Sequence, residues 1–290
     1  MSLISAILLA ASAQAAPTIR ENASSITLSA GKSRLVFNKK NNTVKSLRLG
    51  GTEYVHGGFG LQPNYWRAMT EHDIAFRIPE RSGKWKEYSL QPTCFSAETA
   101  TEEDGSVTLT LEYLPATQVR YRLHEDGRLE VSMVLEPTTP RFEAPVILDG
   151  PGMVYNPDQT EAEREAQIES FRAFQRSVRL QAELEWLETA ALLPRVGLRM
   201  HLPAQFACEE RDGHLVISNG KGRGCILEQQ PELRYTALRR SIEDLDQGLD
   251  AERPYVELCL DAPQPEVSGA GPYNLPSELT GFGFTLTPLP

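Results

Sequence analysis

Pro63–Phe76 reads PNYWRAMTEHDIAF. One connecting stretch thus gathers two aromatic rings (Tyr65, Trp66), a guanidinium (Arg67), an imidazole (His72) and two carboxylates (Glu71, Asp73). Such rings stack on the apolar face of a sugar, and Arg67 and Asp73 can hydrogen-bond hydroxyls or each other. The same residue types also build a packed corner, with Trp66 in the core and Arg67 paired to Asp73. Hydrolysis of a glycosidic bond needs two carboxylates facing each other across it. Glu71 and Asp73, two apart, share one face of a strand or a turn, and no short motif isolates an opposed pair.

Other candidate chemistries fall away. GKGRG (Gly220–Gly224) lacks the spacing and the following Ser/Thr of a phosphate loop, and between two short strands it reads as a hairpin turn. The five histidines (His56, His72, His124, His201, His214) have no metal-ligand spacing, so no metal is expected. No Gly-x-Ser-x-Gly elbow occurs. The four cysteines (Cys94, Cys208, Cys225, Cys259) form no Cys-x-x-Cys pair and are too sparse for a disulfide scaffold. They read as buried thiols, with a Cys208–Cys225 bridge open if the chain is exported.

The elements that must carry these residues are mostly strands. Ser33–Asn38 and Thr43–Leu49 flank Asn41-Asn42, a pair that tolerates left-handed backbone. Ser106–Tyr113, Gln118–Leu123 and Arg128–Leu135 alternate apolar and polar residues, and Asp126-Gly127 marks a hairpin between the last two. Val196–Leu202, His214–Ser218, Cys225–Glu228, Tyr255–Leu260 and Gly283–Leu289 continue the pattern. The expectation is an antiparallel sandwich with one wet face per sheet. Asp158–Leu193 breaks it and reads as helix. Asp158 and Glu161 propose a capping box, and Ile168, Phe171, Phe174 and Val178 one apolar stripe. Leu180, Leu184, Leu187 and Ala191 form a second stripe, and Pro194 is the stop. The helix either packs on the sandwich or docks a partner. Glu136–Gly152 before it is a Pro-rich connection.

The whole chain has 290 residues, 40% hydrophobic and 23% charged, with a net charge of −10. That length fits one large all-β unit. The charge argues against nucleic acid, whose binding needs a basic face, and against an anionic membrane. It suits a neutral ligand such as a sugar. Leu3–Ala11 is apolar and Ala13–Pro17 resembles a cleavage site, but no Lys or Arg precedes the run. Residues 1–24 are therefore a signal peptide or an upstream linker. The chain is periplasmic or secreted if Met1–Ala15 is a signal, and cytoplasmic otherwise.

The opening stretch resembles the P-x-[F/Y]-W-R-A-x-T-D-N-D signature of the small-chain, C-terminal domain of glycoside hydrolase family 2 β-galactosidases. Pro63, Tyr65, Trp66, Arg67, Ala68, Thr70 and Asp73 match, and Glu71 and His72 replace Asp-Asn. Ile26–Val55 resembles that domain's opening strands, Leu193–Pro203 its L-P-R-x-G-L strand, and Arg234–Gly271 its closing segments. The chain departs from the family at Asp158–Leu193, where the family has a short connection, and between Phe206 and Arg234, where it is much shorter. Ser268–Tyr273 lacks the family's sugar-stacking Trp, with Tyr273 as a possible substitute.

The resemblance implies a large antiparallel β-supersandwich, galactose mutarotase-like, over residues 25–290, with a helical insertion around 158–193. It implies no cofactor, and catalytic carboxylates in a barrel domain or subunit elsewhere. This chain would complete that partner's galactoside site through Tyr65, Trp66, Arg67, His72, Asp73 and Tyr273, and stabilise the assembly. The alternatives are a stand-alone carbohydrate-binding sandwich using Trp66, Tyr65 and Trp85, an interaction protein docking through its helical insert, or an epimerase-like enzyme with a His/Glu pair in one cleft.

Overall fold

In the computed structural model the described residues are 16–69, 71–75, 77–114, 116–135, 160–170, 173, 195–230, 233–262 and 280–289. The opening apolar run, the Pro-rich connection, most of the expected helical insert and Tyr273 lie outside them. Among the described residues seventeen strands dominate, in chain order β1 (Thr18–Glu21), β2 (Ser25–Ala30), β3 (Ser33–Asn38), β4 (Thr43–Leu49), β5 (Thr52–Glu53), β6 (Gln62–Asn64), β7 (Thr93–Thr101), β8 (Val107–Leu114) and β9 (Thr117–Leu123). They continue as β10 (Leu129–Leu135), β11 (Gly197–Pro203), β12 (Ala207–Arg211), β13 (His214–Ser218), β14 (Gly224–Gln230), β15 (Arg234–Leu238), β16 (Tyr255–Asp261) and β17 (Thr280–Pro288).

These strands form three antiparallel sheets: β1-β2-β3-β4-β5, β12-β13-β14-β17-β10-β9-β8-β7, and β15-β16-β11-β6. The alternation read from sequence sets the eight-stranded register. Leu215, Leu227, Leu286, Leu129, Leu123 and Val107 lie in one inward row across six strands, and all are buried. Slipping any of these strands by one residue would turn its leucines to water. Each such side chain stabilises the fold by about 1.5–3 kcal/mol on burial.

The two smaller sheets face this inward side and share one apolar core with it. Three tyrosine hydroxyls join the layers: Tyr121 donates to Leu61 O at 2.9 Å, Tyr113 to Asn42 O at 3.1 Å, and Tyr65 to Thr117 Oγ1 at 2.5 Å. Both predicted turns have the backbone they require, since Asn42 and Gly127 take φ of 55° and 85°. At Gly127 a Cβ would also meet Ser33 Oγ at 2.7 Å. Gly220–Gly224 is a hairpin turn, with Asn219 N donating to Arg223 O.

One expectation needs correction. The pattern predicts one helical break, but four further short helices occur among the described residues: α1 (Glu71–Ala75), α2 (Ile78–Arg81), α3 (Gly83–Leu90) and, after α4 at residues 161–170, α5 (Ile242–Asp246). In α3 only Trp85 and Ser89 are buried, so no apolar stripe announces it. Thr160 and Glu163 make a capping box, with Thr160 N donating to Glu163 Oε2 at 2.8 Å and Glu163 N to Thr160 Oγ1 at 3.4 Å; the expected cap at Asp158 lies outside the described residues. Among described residues no helix is long and apolar enough to cross a membrane.

Candidate functional site

The Pro63–Phe76 stretch begins on β6, an edge of the four-stranded sheet. Pairing with β11 sets Asn64 opposite Gly197, Pro63 opposite Leu198 and Gln62 opposite Arg199. Alternation then puts Pro63 and Leu198 on the core face and Gln62, Asn64 and Arg199 on the other. That second face is not solvated. Gln62 and Asn64 are fully buried and Arg199 nearly so, because α3 and α5 lie over it. The local hydrogen bonds fix this cover. Gln62 Nε2 and Arg199 Nη2 both donate to Ser89 O, at 3.2 and 3.1 Å, and Tyr65 N donates to Ser89 Oγ at 2.8 Å.

Beneath the helices lies a buried polar layer. Arg199 Nη1 sits 2.6 Å from Glu243 Oε1 and 3.6 Å from Glu257 Oε1, and His201 Nε2 lies 3.6 Å from Glu257 Oε2. Phe59, His201 and Tyr255 stack in a column with centroid spacings of 4.0 and 3.8 Å, and the Arg199 guanidinium lies over Phe59. Among the described residues Gln62 Oε1, Asn64 Nδ2, Arg199 Nε and Glu257 Oε2 have no protein hydrogen-bond partner. Such burial costs stability, so the layer stands against the trend of the rest of the core. Nearby, Arg195 Nε is 3.2 Å from Asp261 Oδ1. Burial nevertheless pushes the Asp261 carboxyl up to about 6, with Arg195 offsetting part of the rise.

The aromatic pair lies inside the protein. Tyr65 has no exposed surface, its ring packs on Trp85 with centroids 5.3 Å apart, and burial pushes its hydroxyl well above the usual tyrosine range. Trp66 is 3% exposed, and its Nε1 donates to Asp246 Oδ2 at 3.3 Å. Asp246 also accepts from Met69 N at 3.4 Å and pairs with Lys86, whose ammonium lies over the Trp66 ring. Trp85 is wholly buried too. None of the three rings offers a face to a ligand in this structure. Arg67, by contrast, is half-buried at the surface end of the segment, with Nη1 donating to Ala68 O at 3.2 Å. His72 and Asp73 follow on α1, and Tyr273 lies outside the described residues. The structure therefore brings Tyr65, Trp66, Arg67, His72 and Asp73 onto one strap whose first half is locked down.

Sequence reasoning missed the residues that lock it: Lys86, Ser89 and Asp246. One signal was present. Ser241 and Asp244 have helix-cap spacing, and Ser241 Oγ accepts from Asp244 N at 3.0 Å, which sets α5 and hence Asp246. The cysteines are free. Cys208 and Cys225 both neighbour Ile217 from opposite strands, so about two strand spacings, near 10 Å, separate them, beyond disulfide reach. Burial raises their thiols to about 12, which leaves them protonated and unreactive at neutral pH. Among described residues no group of three or more His, Cys, Asp or Glu could hold a metal.

Two comparisons with known proteins point to one family. A family model described as the β-galactosidase small chain matches residues 29–209, more than half the chain. A β-galactosidase from Priestia megaterium (strain DSM 319 / IMG 1521) is 29% identical over 139 residues, covering 47% of this chain and 13% of that protein. The matched part is thus a small fraction of that relative's length. Among solved structures, a mutant of the heparan sulfate lyase HepC from Pedobacter heparinus aligns over 95% of this chain and 36% of its own, at TM-score 0.45 and 9% identity. That likeness is too slight to bear on fold or function.

Proposed function

This chain belongs to the β-galactosidase small-chain family, and from that premise we propose that it is a non-catalytic sandwich domain or subunit of a β-galactosidase. In this reading it completes a galactoside site whose catalytic carboxylates sit in a barrel partner. The observation that carries the proposal is the clamped strap. Asp246, Lys86 and Ser89 hold Tyr65 and Trp66 in place, so the segment can present Arg67, which follows directly, with little ordering cost on association. Tyr65 and Trp66 then act as positioning residues, and contact with sugar falls to Arg67, His72 and Asp73, with Tyr273 as a fourth candidate.

The test uses nitrophenyl galactoside hydrolysis. The chain alone should be inactive. Mixed with a β-galactosidase barrel polypeptide that lacks its small-chain region, it should restore turnover. Arg67→Ala should raise KM in the mixture while light scattering shows the two polypeptides still associated. Hydrolysis by the isolated chain at enzymatic rates, or no restoration by the native chain, would overturn the reading.

A further inference from the structure

The outward face of the eight-stranded sheet holds a groove unrelated to the strap. Its cavity volume is about 610 Å³, lined among others by Arg120, Arg122, Glu130, His214, Glu228 and Thr285. Register explains its shape. Glu228, Thr285, Glu130, Arg122 and Thr108 form one outward row across β14, β17, β10, β9 and β8. In the next row Gly283 faces Ser132, which faces Arg120. These two smallest residues leave a trough, with arginines on one bank and Glu228 and His214 on the other. The banks stand three strand spacings apart, about 14 Å, and the volume is that of a small-molecule site.

The chemistry of the lining selects a ligand class. Arg120 Nη2 pairs with Glu102 at 2.7 Å; Arg122 pairs with Asp104 at 2.8 Å, takes Ser106 Oγ through Nε at 2.8 Å, and lies 3.7 Å from Glu130. Glu130 also meets His124 Nε2 at 3.0 Å. Hydrogen bonds from Ser106 and Arg122 hold the Asp104 carboxyl well below its ordinary range, and those from Thr108 and Arg120 lower Glu102. Both acids stay ionised at neutral pH, so the guanidinium charges are met locally. A free anion finds no uncompensated cation there, and the apolar residues of the lining, Val131 and Phe284, are buried toward the core, so an apolar ligand finds little side-chain surface to cover. The trough offers directional donors (arginine forks, serine and threonine hydroxyls) beside acceptors (Glu130, and Glu228, which itself accepts from Thr287 Oγ1 at 3.3 Å). Donors and acceptors alternating over this width match the hydroxyls of a neutral saccharide.

We propose that this groove binds a neutral mono- or disaccharide at a site separate from the one shared with a barrel. It stands on a different sheet, so it survives or fails independently of the function proposed above. Ligand-observed NMR titration of the 290-residue chain tests it, with lactose and galactose as probes and galacturonate as the anionic comparator. Saturable binding of the neutral sugars with Kd on the order of 1 mM is expected, the range of a small polar ligand with few anchors. Ser132→Trp, an exposed position that fills the trough from outside, should abolish it. Glu228→Gln should weaken it about tenfold, the scale of one charged hydrogen bond. Near-UV circular dichroism reports whether each variant is folded, and Glu228→Gln decides the matter if Ser132→Trp is not. No saturable signal with either neutral sugar, binding unchanged in the folded variants, or tighter binding of galacturonate would each overturn the proposal.

Discussion

Arg120 and Arg122 on the eight-stranded sheet and Arg199 on the four-stranded sheet meet the same kind of partner, a carboxylate, in opposite surroundings. The first pair stands on a wet outer face, with side chains 44% and 30% exposed. Arg199 is 3% exposed and its partner Glu257 only 2%. On the wet face the ion pairs can be broken and remade around a ligand at little cost, because water and salt screen them. Under α3 and α5 the charges are committed. Their desolvation is offset only while every partner stays in place, so the layer specifies geometry rather than adding net stability.

The sharpest way to break this contrast is to remove one buried partner. Arg199→Met should cost about 3–5 kcal/mol in urea denaturation, because it strands Glu257 without a cation. Combining it with Glu257→Leu should recover much of that loss. If the single variant is as stable as the native chain, the committed-charge view is wrong.

The next largest effect is a pH dependence confined to the same region. Burial raises the Asp261 carboxyl to about 6, against about 3.9 in an unfolded chain. The folded state therefore holds its proton more tightly. The resulting stability is fully present below about pH 4 and is lost as pH rises through about 6. At about 1.4 kcal/mol per pKa unit the swing is about 2–3 kcal/mol. Asp261→Asn should flatten this part of the stability profile, and an unchanged profile would place the proton elsewhere.

The strap gives an intermediate case. Asp246→Ala removes the acceptor of Trp66 Nε1 and Met69 N together with the partner of Lys86. The expected loss is about 2 kcal/mol, with faster amide exchange over residues 66–69. The smallest effect belongs to the outer face. Arg120→Gln should leave the urea midpoint within error, at low and at high salt alike.

The same contrast decides what could be read from the chain. Six of the eight strands in the large sheet, all but its edges β7 and β12, were legible because their polar residues face water. In β8, β9 and β10 apolar and polar residues alternate through Leu111, Val119, Tyr121 and Met133, with breaks at Val134 and Leu114 near the strand ends, and Asp126-Gly127 names the turn. β11 misled for the opposite reason. Arg199 and His201 mark what pattern reasoning takes for a solvated face, yet α3 and α5 cover it. Neither helix carries a periodic apolar stripe. The site was legible only in part: the strap's position followed from its motif, but the burial of Tyr65 and Trp66 depends on Ser89 and Asp246, 24 and 180 residues away from them. No local window contains that information.

Strand β17 sits between β10 and β14 in the eight-stranded sheet. It joins two hairpin blocks, β7–β10 and β12–β14, that share no direct pairing. During synthesis both blocks must wait, each with an open edge and a half-covered leucine row, until the ribosome has moved past residue 288. The widest layer of the molecule is thus assembled last, by insertion of a single keystone segment. A nascent chain halted before Thr280 would expose two complementary seams to any neighbour emerging from the same polysome.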